Sequence, residues 1–207
     1  GDVEKDLDEI SRVTKLILDD NKKTMMIGGE HLVTLGTIRE YVKKYPDLHI
    51  IHFDAHTDLR EEFLGRELSH ATVLRKCYDL LGDGRIYQFG IRSGDSSEFK
   101  WASEGHTHLR KFDLVGLDKC IEELKDKPVY ITIDLDVLDP SVFPGTGTPE
   151  AGGITYKELQ QAILDMRGLH NIVGADMVEL SPHYDQSGAS TAVACKVLRE
   201  LVLLLHL

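Results

Sequence analysis

At 207 residues, 42% apolar and 29% charged, the chain is long enough for one domain with a sizeable buried core. A formal charge of −11 argues against nucleic acid and anionic membranes as partners, and no run approaches the roughly 20 apolar residues of a membrane span. Cys77, Cys120 and Cys195 lie far apart among apolar neighbours, so buried, reduced thiols in a cytoplasmic protein are expected, with no disulfide frame.

Val3, Leu7, Ile10, Val13 and Ile17 fall at helical spacing over residues 3–20, and the acidic start "GDVEKDLDEI" is unlike a targeting peptide. After "NKKT" a short strand, "MMI", ends at Gly28-Gly29. "LVTLGTIREYVKKY" predicts a helix and "LHIIHF" a strand buried on both faces. Residues 69–79 are expected to be helical, "RIYQFG" a strand and "DLVGLDKCIEELK" a helix. "PVYITID" is the next strand, followed by the Gly/Pro-rich loop "DPSVFPGTGTPEAGG". Thr155 and Glu158 form a capping box ahead of the helix "KELQQAILDMR". "NIVGADMVEL" then supplies a strand and "STAVACKVLRELVLLLHL" the last helix.

Strands alternating with helices predict an α/β fold, in which right-handed crossovers connect a mostly parallel sheet covered on both faces. No repeat, linker or low-complexity tract interrupts residues 1–207, which read as a single domain. The pattern opens on a helix with no strand before it, so either the domain begins unusually or an upstream strand is absent from this chain.

Ligands of open parallel sheets bind beyond the carboxyl ends of the strands. Here those ends are loaded with ionisable groups. "MMI" leads to Glu30 and His31, "LHIIHF" to Asp54, His56 and Asp58, "PVYITI" to Asp134 and Asp136, and "NIVGADMV" to Glu179. One such carboxylate is ordinarily a helix cap. Several held close must be protonated or paired, and no Lys or Arg lies within these motifs. Divalent cations resolve the conflict, and imidazole with carboxylate suits a hard or borderline metal. Two ions sharing carboxylates would use the set fully and activate a water between them. His52 reads as a buried, hydrogen-bonded core residue and Asp176 as structural; His106, His108, His170 and His206 lie outside the cluster.

The ordered motifs "GGEH", "DAHTD", "DLDVLDP", "GTGTPEAGG" and "VELSP" resemble those of the ureohydrolase family of arginases and agmatinases. "SHATVLRK" and "FGIRSG" between them extend the resemblance over nearly the whole chain. It implies a three-layer αβα sandwich, arginase/deacetylase-like, whose N-terminal strand region is missing here, and a homo-oligomer, trimer or hexamer. It also implies two Mn2+ per subunit. Asp54 and Asp134 would bridge, with His31 and Asp58 completing one ion and His56 and Asp136 the other. The implied reaction hydrolyses a guanidinium group to urea and an amine. Glu179 would orient the planar cation, His70 would shuttle protons or orient substrate, and Thr146 of "GTGTPEAGG" would contact substrate.

"DAHTD" continues into "LREEFLGREL", without the Asn that arginases carry there, so the resemblance leans toward agmatinases. Agmatine would give putrescine and urea, and Glu61 or Glu62 would face its second cation. Other guanidino compounds (4-guanidinobutyrate, arginine, guanidine) stay open as substrates. So do a single-zinc hydrolase like the deacetylases, which share a D-x-H strand end, and an inactive truncated ureohydrolase that only binds metal.

Overall fold

Helix α1 (Val3–Asp19) begins at Asp2, whose carboxylate accepts from the Lys5 amide, and buries Leu7, Ser11, Thr14 and Leu18 along one stripe. In the computed structural model, which describes residues 2–206, six strands follow it. They are β1 (Met25–Ile27), β2 (His49–Phe53), β3 (Ile86–Ile91), β4 (His108–Lys111), β5 (Val129–Asp134) and β6 (Ile172–Val178). All pair in parallel in the order β1-β6-β5-β2-β3-β4. Parallel neighbours require crossovers, which α2 (Val33–Lys44), α3 (Val73–Leu81), α4 (Ser96–Trp101), α5 (Leu117–Glu123) and α6 (Tyr156–Asp165) supply before α7 (Ala189–Leu205).

Successive strand residues face opposite sides of the sheet, and this splits the core in two. Ile50, Ile86 and Tyr130 pack with Leu7, Leu35, Ile38 and Leu74 of α1 to α3. Ile51, Ile131 and Ile133 pack with Leu117, Leu159, Ile163 and Val197 of α5 to α7. The result is the expected three-layer sandwich. Every residue of β2, β3, β5 and β6 is buried. Each fully buried Ile or Val among them contributes about 1.5–3 kcal/mol. Tyr41 pins the first layer to the sheet: its hydroxyl donates to the Val173 carbonyl at 3.0 Å and accepts from the Thr24 amide at 3.1 Å. A side chain at Gly174 would collide with that hydroxyl, so the glycine is required by close approach.

Three features depart from expectation. Strand β4 runs through "HLRK", mostly exposed at the sheet edge, where no apolar run marks it. Helix α4 is too short to show a periodicity. Cys77 and Cys120 are buried as expected, but Cys195 is exposed, because it falls on the outer face of α7. The capping box of Thr155 and Glu158 forms, with both reciprocal hydrogen bonds. Among the described residues no helix is long and apolar enough to cross a membrane.

Strand β2 sits beside β5 at the middle of the sheet. From there the chain runs outward one way through β3 and β4, and the other way through β6. That reversal opens a crevice beyond the strand ends, where α/β sheets bind ligands.

Candidate metal centre

Register decides which side chains meet in the crevice. Phe53 pairs with Ile133 and Asp134 pairs with Val178, so Asp54, Asp134 and Glu179 emerge side by side from β2, β5 and β6. His31 joins them from the loop after β1, where Gly28 allows Val33 and Val178 to approach too closely for any Cβ. Glu179 adopts a left-handed backbone, φ +65°, which turns its carboxylate back over that loop to accept from the His31 amide at 2.9 Å. Asp58 is also left-handed, φ +53°.

Four buried aspartates and two histidines converge. His31 Nδ1 stands 3.2 Å from Asp54 Oδ2, from Asp58 Oδ2 and from Asp134 Oδ2. His56 Nδ1 stands 2.9 Å from Asp136 Oδ2 and 3.4 Å from Asp54 Oδ1. Asp54 thus belongs to both groups, one oxygen to each. The turn Leu135–Val137 places Asp136 by letting Asp134 Oδ1 accept from the Asp136 amide, and Asp136 Oδ1 in turn accepts from the Ala55 amide at 3.0 Å.

The electrostatics state a deficit of positive charge. Burial opposes ionisation of Asp134, and the neighbouring charges of Asp136 and Asp54 raise its pKa further. Burial and the Asp54 charge push Asp58 up to about 7. Burial works against charge on His56 and His31, yet the carboxylates around them prevail, raising His56 to about 12 and His31 well above its ordinary range. No Lys or Arg pairs with any of the four aspartates among the described residues.

The tautomer of His31 sharpens the point. Thr132 spends its only hydrogen on Asp176 Oδ1 at 2.6 Å, so at 2.9 Å it accepts from His31 Nε2. Asp176 is fixed in turn by Tyr130 and Thr34, each at 2.9 Å. A neutral His31 therefore presents a bare Nδ1 to three carboxylates, and among the described residues that buried atom has no hydrogen-bond partner. A lone pair facing three anions is repulsive, so Nδ1 needs either a proton, as the raised pKa reflects, or a metal ion between it and the carboxylates. The donor set of imidazole and carboxylate fits divalent metal ions, in two groups linked by Asp54.

The other anticipated residues rim the cluster. His70 is half-exposed, 3.5 Å from Glu30 Oε1 and edge-on to Phe63. It lines both a cavity of about 560 Å3 beside α1 and a smaller one of about 160 Å3 that reaches His56, Asp58 and Thr148. Thr146 is buried with its hydroxyl unpaired, whereas Thr148 donates to Asp136 Oδ2 at 3.4 Å. Glu61 and Glu62 are exposed, and Glu61 is engaged with Arg75 at 2.9 Å.

Three residues escape sequence reasoning. Arg92 sends its guanidinium to the carbonyls of Gly90, Asp136, Val137, Leu138 and Glu150, clamping the Asp136 turn to the loop before α6. Buried Glu98 accepts from the Thr57 hydroxyl and the Leu59 amide, holding the loop that carries Asp58. Gln88 donates to the Thr57 carbonyl at 2.8 Å. The pattern "DSSE", Asp95 to Glu98, marks a helix start but not that contact.

Fold and cluster together define a metallohydrolase. The model of the arginase family matches residues 1–204, and the chain belongs to that family. It is 49% identical to the agmatinase of Bacillus anthracis over 205 residues, which span 98% of this chain and 71% of that protein. A solved structure from Clostridium difficile superposes with a TM-score of 0.97 at 51% identity, covering 99% of this chain and 75% of that one. The agmatine ureohydrolase of Thermoplasma volcanium matches with a TM-score of 0.88 at 35% identity, over 99% of this chain and 70% of that one.

Proposed function

We propose that the chain hydrolyses agmatine to putrescine and urea, acting as one ureohydrolase domain with two Mn2+ as cofactors. The observation that carries this reading is the buried cluster linked by Asp54 and short of positive charge, in a chain 49% identical to an agmatinase. His31, Asp54, His56, Asp58, Asp134 and Asp136 would hold the ions. When bound, a pair of divalent cations lowers the pKa of a water and polarises the atom it attacks.

The remaining tasks fall to the protein. Glu179, partly buried at the rim, offers a fixed carboxylate that orients the planar guanidinium through its fork of N–H donors. Thr146 adds a buried hydroxyl that has no other partner among the described residues. Glu30 beside His70 raises the imidazole pKa, which favours the protonated form that would give a proton to the departing amine.

The test is urea release from agmatine, arginine, 4-guanidinobutyrate and guanidine with Mn2+ present, together with a metal count by mass spectrometry. Agmatine should have the highest kcat/KM, with two ions per chain. A single bound zinc, or two ions without urea from any substrate, overturns the reading.

A further inference from the structure

A buried polar chain runs from Thr107 through Gln88 and His52 to Asp54, and no step above uses it. Gln88 lies on β3 and is fully buried. One end of its amide meets the Thr57 carbonyl at 2.8 Å. A carbonyl only accepts, so this end is the NH2 group. The other hydrogen of that group is directed to His52 Nδ1, 3.1 Å away. The Thr107 hydroxyl donates to Gln88 Oε1 at 3.1 Å, in agreement with that orientation. An imidazole nitrogen that accepts carries no proton, so the proton of neutral His52 sits on Nε2. That nitrogen stands 2.8 Å from Asp54 Oδ2.

His52 is close enough to His31, Asp54 and Asp58 to count as a ligand by distance alone. Its tautomer rules against that role, because a protonated Nε2 has no lone pair to give. We propose that His52 is a positioning residue: Gln88 fixes its tautomer, and the fixed N–H holds the Asp54 carboxylate in place. The inference rests on the proposed role of Asp54 in metal binding. Asp54 Oδ2 is gripped by His52 and Oδ1 by the His56 amide at 2.5 Å, so the carboxylate is held from both sides. Each oxygen keeps a lone pair on the side of one imidazole, His31 for Oδ2 and His56 for Oδ1.

Two measurements on the full chain test this. In the 15N-labelled protein loaded with diamagnetic Zn2+, the His52 ring, assigned by its loss in His52→Phe, should show the neutral pattern protonated on Nε2. Gln88→Met removes the amide hydrogens, and should mix the two tautomers and weaken Mn2+ binding about ten- to a hundredfold. Thermal unfolding without metal checks that the variant folds. Should it not fold, His52→Gln, which keeps an N–H donor, must bind Mn2+ more tightly than His52→Phe. A wild-type His52 protonated on Nδ1, wild-type Mn2+ affinity in folded Gln88→Met, or equal affinities of the two His52 variants overturns the inference alone. A wild-type protein that binds no Mn2+ overturns it together with the proposed function.

Discussion

An aspartate shared between two histidine groups and a glutamate that touches only one loop amide differ sharply in what their loss should do. Asp54→Ala removes an anion from both halves of the cluster, so metal binding and urea production should disappear together. Glu179→Gln keeps the amide contact to His31 through a neutral oxygen and gives up only the charge offered to a guanidinium. It should retain both ions while turnover falls by about a hundredfold or more, the loss typical of one charge-stabilising contact. Metal content and steady-state rates measured on the same preparations separate the two. Equal metal loss in both variants would sink this division of roles. At this scale the sequence was most informative: His31, Asp54, His56, Asp58, Asp134 and Asp136 each lie at or just beyond the end of a strand, and strand ends converge whatever lies between them. Gln88, Glu98 and Arg92 were illegible, because they meet the site through contacts between segments far apart in sequence that no local spacing records. Glu98 lies 41 residues from Thr57.

Loops that end strands need anchoring, and two anchors set how rigid this site is. Arg92 binds carbonyls alone, a geometry that needs the planar fork rather than the charge. Arg92→Lys should therefore destabilise the fold by about 2–3 kcal/mol, which denaturant unfolding would register, and an unchanged midpoint would contradict the clamp. Asp139 anchors the same loop from outside, accepting from the Ser141, Gly152 and Gly153 amides at 2.8–3.1 Å. The Ser141 hydroxyl and these amides hold its carboxyl well below the usual aspartate range. A depressed pKa contributes stability above the unfolded value of about 4 and loses it as pH falls through the folded value. Protection of the Gly152 and Gly153 amides from exchange should hold at pH 5 and fade only in stronger acid. In Asp139→Asn it should be weak at both. Elements were legible where burial imposes a pattern, as in β2 and β5, and illegible in β4, whose exposed "HLRK" carries none.

For the molecule as a whole, the carboxylate cluster places folding and metal binding in one equilibrium. An ion that binds only the folded chain adds about 2.7 kcal/mol at a free concentration a hundred times its Kd. For a chain of this size that corresponds to a Tm rise of roughly 5–10 °C per ion. Chelation should lower Tm accordingly. The loss should be smaller in Asp54→Ala, which has no ions to lose and no longer sets four aspartates against one another. Scanning calorimetry with and without Mn2+ and chelator checks this, and a Tm indifferent to chelator in the wild-type chain would refute it.

Asp58 within the cluster and Glu179 at its rim both hold left-handed backbones, a conformation that costs a non-glycine residue about 1–3 kcal/mol. Glycine at either position would relieve that cost and delete a carboxylate the site needs. Selection of this chain for heat resistance alone, with no demand for turnover, would therefore favour substitutions at these two positions early. Libraries built to harden the protein should keep both codons fixed.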